Sequence, residues 1–66
     1  MRSKLREARA KRKFTQQQIA VRLGVSQQTV SKHEKGVTTP AHFNVIREYE
    51  RLLGVRAEDV FPDIFN

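Results

Sequence analysis

The chain has 66 residues, of which 38% are hydrophobic and 30% charged, and it contains no cysteine. That length allows one small domain, residues 1–66, whose core supplies roughly 3–5 kcal/mol and leaves little chain to enclose a large substrate cleft. The absence of cysteine excludes disulfides, thiolate metal sites and cysteine nucleophiles, and His33 and His42 show no carboxylate pattern that would share a metal with them. No metal and no cofactor are therefore expected.

No apolar run approaches the roughly 20 residues needed to cross a bilayer. The basic start is followed by no apolar signal-peptide core, and Met1 is expected to mark the true front of the chain. These features predict a cytoplasmic protein. The net charge is +6, and its placement is uneven. Arg2, Lys4, Arg6, Arg9, Lys11, Arg12 and Lys13 face the single Glu7, whereas beyond Lys13 the basic and acidic side chains balance. A patch of this kind attracts a polyanion or forms a solvated helix face. A membrane surface is the weaker partner, because this segment offers only Leu5, Ala8 and Ala10 as an apolar face.

The first predicted helix runs from about Ser3 to Lys13, rich in Arg, Lys, Glu and Ala. Thr15 opens the second as N-cap, with Gln18 completing a Thr-x-x-Gln capping box, and Gly24 closes it. Ser26 caps a third helix from Gln27 to about Lys35, which Gly36 terminates. Thr39 followed by Pro40 signals the start of a fourth helix that reaches Leu53 and turns Phe43, Ile46, Tyr49 and Leu53 inward, with Val45 and Leu52 widening the stripe. Gly54 stops it, and Arg56 to Phe61 reads as one short helical turn before Pro62, with a weak cap at Arg56. No stretch alternates as a strand does. The expected fold is all-α, a compact bundle of five short helices.

Residues 16–35 carry the chemistry. Two helices of about eight residues meet around Gly24, with Ala20 small enough for the later helix to cross it and Ile19, Leu23, Val25 and Val30 locking the pair. The outer side of the later helix is polar: Gln27, Gln28, Ser31 and Lys32. Such a helix can enter a major groove, where Gln bonds adenine bidentately and Lys reaches the guanine O6/N7 edge. The alternative is a solvated face of a small bundle.

Phe14 to Ala20 (FTQQQIA) and Leu23 to Gly36 (LGVSQQTVSKHEKG) resemble the phage repressor/Cro (Xre-type) helix-turn-helix family. The likeness extends to Leu5-Arg6-Glu7-Ala8-Arg9 and continues through Pro40, Ile46, Leu53-Gly54-Val55 and Asp59-Val60-Phe61, which places the family domain at about 5–61. The resemblance implies a lambda-repressor-like domain that binds double-stranded operator DNA as a homodimer and regulates transcription, usually as a repressor, with a bacterial or phage origin. It assigns base contacts to Gln27, Gln28, Lys32 and Ser31 on a recognition helix at about 27–35. Phosphate contacts fall to Gln16, Gln17, Thr29, Lys35, Thr38 and Thr39. It pairs Arg9 with Glu34 as an internal salt bridge. His33 departs from the family pattern, at a position usually apolar or aromatic, and is expected to be a packed imidazole rather than a ligand or a pH switch.

One such domain reads few base pairs, so dimers reach half-sites one helical turn apart, roughly 34–36 Å. The candidate contact surface is the C-terminal end: Leu52, Val55, Val60, Phe61, Ile64 and Phe65. For Phe61 the competing role, closing the core, is favoured; Ile64 and Phe65 suit either. The run Lys11-Arg12-Lys13 adds phosphate contacts or is merely solvated. Other readings are an antitoxin-like interaction protein and a non-specific nucleic-acid binder. An enzyme is not expected, since no nucleophile and base, metal ligand set or phosphate-cradling glycine loop appears.

Overall fold

The computed structural model describes residues 1–65; the last residue of the expected 1–66 domain lies outside the described residues. Five helices follow in order: α1 (Ser3–Lys11), α2 (Gln16–Leu23), α3 (Gln27–Lys35), α4 (Phe43–Leu53) and α5 (Ala57–Val60), with no strand among the described residues. α2 packs chiefly on α3, α1 lies across α3 and α5, and α4 closes the bundle against α5 and α2.

Local chemistry explains each boundary. Thr15 Oγ1 accepts from the Gln18 N–H at 3.0 Å while Gln18 Oε1 accepts from the Thr15 N–H at 2.8 Å, a complete capping box. Gly24 ends α2 in the left-handed region at φ 72°, and the Val25 N–H returns to the Ala20 carbonyl at 3.0 Å. That left-handed step turns the chain within two residues into Ser26, whose Oγ accepts from the Thr29 N–H at 3.1 Å to start α3.

Two boundaries differ from expectation. α1 stops at Lys11 rather than Lys13, because Lys13 itself takes φ 61° and the Phe14 N–H returns to the Arg9 carbonyl at 3.1 Å. α4 starts at Phe43, three residues after the Thr39-Pro40 signal. The Thr39 hydroxyl accepts from Arg2 at 3.3 Å instead of capping a helix, and Pro40 is packed inward. The shift leaves Phe43 on the surface at 60% exposure, so it is no member of the inward stripe. The weak α5 start at Arg56 is met from outside, where Glu50 Oε2 accepts the Ala57 N–H at 2.7 Å.

The core comprises Leu5, Ile19, Ala20, Val30, Ile46, Tyr49, Leu52, Leu53, Ala57, Val60 and Phe61. Tyr49 stands edge-on to Phe61, ring centroids 5.5 Å apart. Of the proposed dimer residues, Leu52 at 7% exposure and Val60 at 2% belong to the interior, and Phe61 at 0% takes the core-closing role favoured for it. They cannot meet a second copy while the core is intact, since a domain this small has no other aromatic and aliphatic mass to replace them.

Candidate nucleic-acid interface

The interface is built at the joint of α2 and α3. Gln27, Gln28 and Lys32 are exposed, covered by nothing among the described residues, while Ser31 is half-buried. Gln27 and Gln28 occupy the first turn of α3, with Ser31 one turn further on and Lys32 in the last turn. In helix-turn-helix proteins the N-terminal residues of the second helix are the ones that meet base edges in the major groove. Val30 at 0% exposure and His33 at 3% anchor the opposite face.

Beside this face lies the open N-terminus of α2. The capping box engages the N–H groups of Thr15 and Gln18, which leaves those of Gln16 and Gln17 without an intrahelical partner. Free N–H groups at the positive end of a helix dipole suit an anion such as a phosphate. Gln17 is exposed. Gln16 is half-buried, and its Nε2 donates one hydrogen to Glu34 Oε1 at 3.1 Å, leaving the second available. Thr29 is half-buried with its hydroxyl 2.9 Å from that of Ser26, so in this structure it serves the α3 cap. At the other end of α3, its last residue Lys35 and, in the following loop, Thr38 and Thr39 are exposed.

A buried ionic network holds the two helices. Arg9 Nε donates to Glu34 Oε2 at 2.6 Å, Arg9 Nη2 to Glu34 Oε1 at 3.3 Å, and Arg9 Nη1 to the Phe14 carbonyl at 2.8 Å. Glu34 is 3% exposed, and both of its carboxylate oxygens accept from side chains of α1 or α2. Next to it, His33 Nδ1 lies 2.8 Å from Tyr49 Oη. Burial, reinforced by the Arg2 charge, holds the His33 pKa below its ordinary value, and burial raises that of Tyr49, followed by the negative charge of Glu34. Both side chains are neutral near pH 7 as a result.

Arg2 is the residue that sequence reasoning placed wrongly. Counted with the exposed cations, it is 5% exposed and makes bonds to three separate segments, described below. With Arg9 also internal, the outward-facing cations of the front segment are Lys4, Arg6, Lys11, Arg12 and Lys13. No periodicity marks Arg2 as buried, since it precedes the first turn of α1. Tyr49 as the partner of His33 was equally hidden, because only packing brings α3 and α4 together.

On the far side, Phe43, Glu50, Ala57, Glu58, Ile64 and Phe65 line a shallow groove of about 560 Å³. Ile64 is 36% exposed, and Val55 and Phe65 are half-buried.

Five helices, a tight glycine turn and an uncovered polar helix beside an open helix N-terminus define a helix-turn-helix DNA-binding domain. A family model described as helix-turn-helix matches residues 5–60, and the chain belongs to this Xre/Cro/C1-type family of DNA-binding transcriptional regulators. It is 38% identical over 61 residues to an HTH-type transcriptional regulator of Methanocaldococcus jannaschii, covering 92% of this chain and 91% of that one. Two HTH-type transcriptional regulators of Archaeoglobus fulgidus are 36% and 34% identical over 61 residues, covering 92% of this chain and 86% and 84% of theirs. These relatives are archaeal and lend no support to a bacterial or phage origin. No solved structure matches the chain significantly. Among the described residues, no helix is long and apolar enough to cross a membrane.

Proposed function

We propose that this regulator is a repressor that binds a palindromic operator as a homodimer. α3 enters the major groove, where Gln27 meets an adenine, Gln28 and Lys32 read neighbouring bases, and Ser31 lies beside them. The N-terminus of α2, through Gln16 and Gln17, grips one phosphate, while Lys35, Thr38 and Thr39 meet the backbone on the other side of the groove. Such contacts set register without reading sequence. The observation that carries this reading is the uncovered Gln27–Gln28–Lys32 face standing beside the unpartnered N–H groups of α2.

A second copy is needed because one recognition helix reads too few base pairs to define a site. The face available to it is the groove at Phe43, Ile64 and Phe65, which takes the place of the buried Leu52 and Val60. Repression follows from occupancy: a dimer spanning two half-sites blocks whatever must use the same stretch of duplex.

Selection from random duplexes at fixed salt tests the reading. The expected result is a two-fold symmetric motif with half-sites roughly 34–36 Å apart. The Gln27→Ala variant should relax one position per half-site, losing about 1–3 kcal/mol of discrimination there. An unenriched pool, or an unchanged motif from Gln27→Ala, overturns it.

A further inference from the structure

The guanidinium of Arg2 joins the end of α3, the loop that follows it and Asp63 near the other end of the chain. Nη1 donates to the His33 carbonyl at the end of α3 and to the Thr38 carbonyl in the following loop, both at 2.7 Å. Nη2 donates to Thr39 Oγ1 at 3.3 Å and to Asp63 Oδ2 at 2.8 Å, while Nε donates to Asp63 Oδ1 at 3.0 Å. The Phe61 ring lies beneath, 5.1 Å from the guanidinium carbon, and the Arg2 N–H donates to the Glu34 carbonyl at 2.8 Å. The cation thus sits at the negative end of the recognition helix, neutralised by Asp63 and closed off from solvent.

We infer that Arg2 is a positioning residue for DNA binding: it fixes the loop after α3 so that the Thr39 hydroxyl is set to donate to a backbone phosphate. This rests on the phosphate grip proposed above. A threonine hydroxyl has one proton and accepts through its lone pairs. Since Thr39 Oγ1 accepts from Arg2, its proton remains free, and the adjacent cation polarises the O–H toward a stronger donor. Lysine cannot take the place of Arg2, because a single ammonium lacks the planar fork that spans two carbonyls, a hydroxyl and a carboxylate. Arg2 is itself buried and paired, so it releases no counterion when DNA binds.

The test measures binding of the full chain to its selected duplex, over a range of salt, for Arg2→Met, Arg2→Lys, Thr39→Val and the Arg2→Met/Thr39→Val double variant. Urea melts supply the folded fraction of each, and phosphate ethylation interference locates the loop's contact. Arg2→Met and Thr39→Val should each weaken binding about tenfold on all duplexes alike. The double variant should be no weaker than either single one, and each should lose the same interfering phosphate. Arg2→Lys, which keeps the charge and secures the test if Arg2→Met does not fold, should behave like Thr39→Val. The salt slope should stay that of the unaltered chain. A slope shallower by about 0.9 would mean that Arg2 meets a phosphate directly, and additive losses would mean two independent effects; either overturns the inference. Wild-type affinity in both Arg2 variants, with Thr39→Val weakened, overturns the positioning role alone. Wild-type affinity in Thr39→Val removes the phosphate grip at Thr39 and the inference with it.

Discussion

Arg9 of α1 and Glu34 of α3 form a two-bond fork, with Nε 2.6 Å from Oε2 and side-chain exposures of 16% and 4%. The pair lies between the helix that carries the basic patch and the proposed recognition helix. The third partner of the carboxylate, Gln16, extends the network to the proposed phosphate site. Stability and binding geometry therefore depend on the same carboxylate.

Removing one member leaves the other charge buried and unpaired, which costs about 3–5 kcal/mol. That equals the whole expected stability of a domain this size. Arg9→Ala should accordingly be largely unfolded at 25 °C by circular dichroism, and a urea melt showing a loss below about half a kcal/mol would contradict burial of the pair.

His33 predicts acid sensitivity. Its folded-state pKa lies below the ordinary 6.5 because burial, and then Arg2, disfavours the imidazolium. The unfolded chain thus binds the proton more readily, and stability rises with pH. The contribution is complete above about pH 6.5. It declines as the pH falls through the window down to the depressed folded value. Urea midpoints between pH 7.5 and 5 should fall for the unaltered chain and stay level for His33→Gln. Asp63, whose pKa is lowered first by its hydrogen bond to Arg2, adds a separate loss only below the ordinary carboxylate range. A level profile in the unaltered chain would show that His33 accepts a proton without penalty.

Gly24→Ala isolates backbone strain. A Cβ at Gly24 would meet nothing within 4 Å, yet the residue holds φ 72°. The expected cost is about 1–2 kcal/mol, with Gly24→Asn costing less because asparagine tolerates the left-handed region. At Gly54 the added methyl would also displace the Arg12 guanidinium. Thermal melts of Gly24→Ala, Gly24→Asn and Gly54→Ala should place Gly24→Asn closest to the unaltered chain.

Phe43→Arg tests the proposed dimer face. The side chain is 60% exposed, so stability should change by no more than about 0.5 kcal/mol. Binding to a full operator should weaken while binding to an isolated half-site is unchanged. Sedimentation should show less self-association. Equal loss on half and full sites would place Phe43 in the DNA contact and not between copies.

The amino-acid sequence alone determined the capped helices and their joint. Thr15 with Gln18, Ser26, Gly24 and Gly36 act within one or two turns of the chain, so their spacing specifies α2 and α3 without reference to the rest of the molecule. The polar face from Gln27 to Lys32 was legible for the same reason, and the match over residues 5–60 agrees with the family that those motifs resemble.

Tertiary structure alone decided what distant groups do to one another. Thr39 and Pro40 form a sound local helix start, but Arg2 claims the threonine and packing claims the proline, so α4 begins at Phe43. Arg2 passes from a surface cation to an interior one, and Leu52 and Val60 from a contact surface to the core, where Phe61 joins them as favoured. A cap competes only with neighbours a few residues away, whereas a buried charge or aromatic ring finds its partners through the fold. No local pattern encodes that choice.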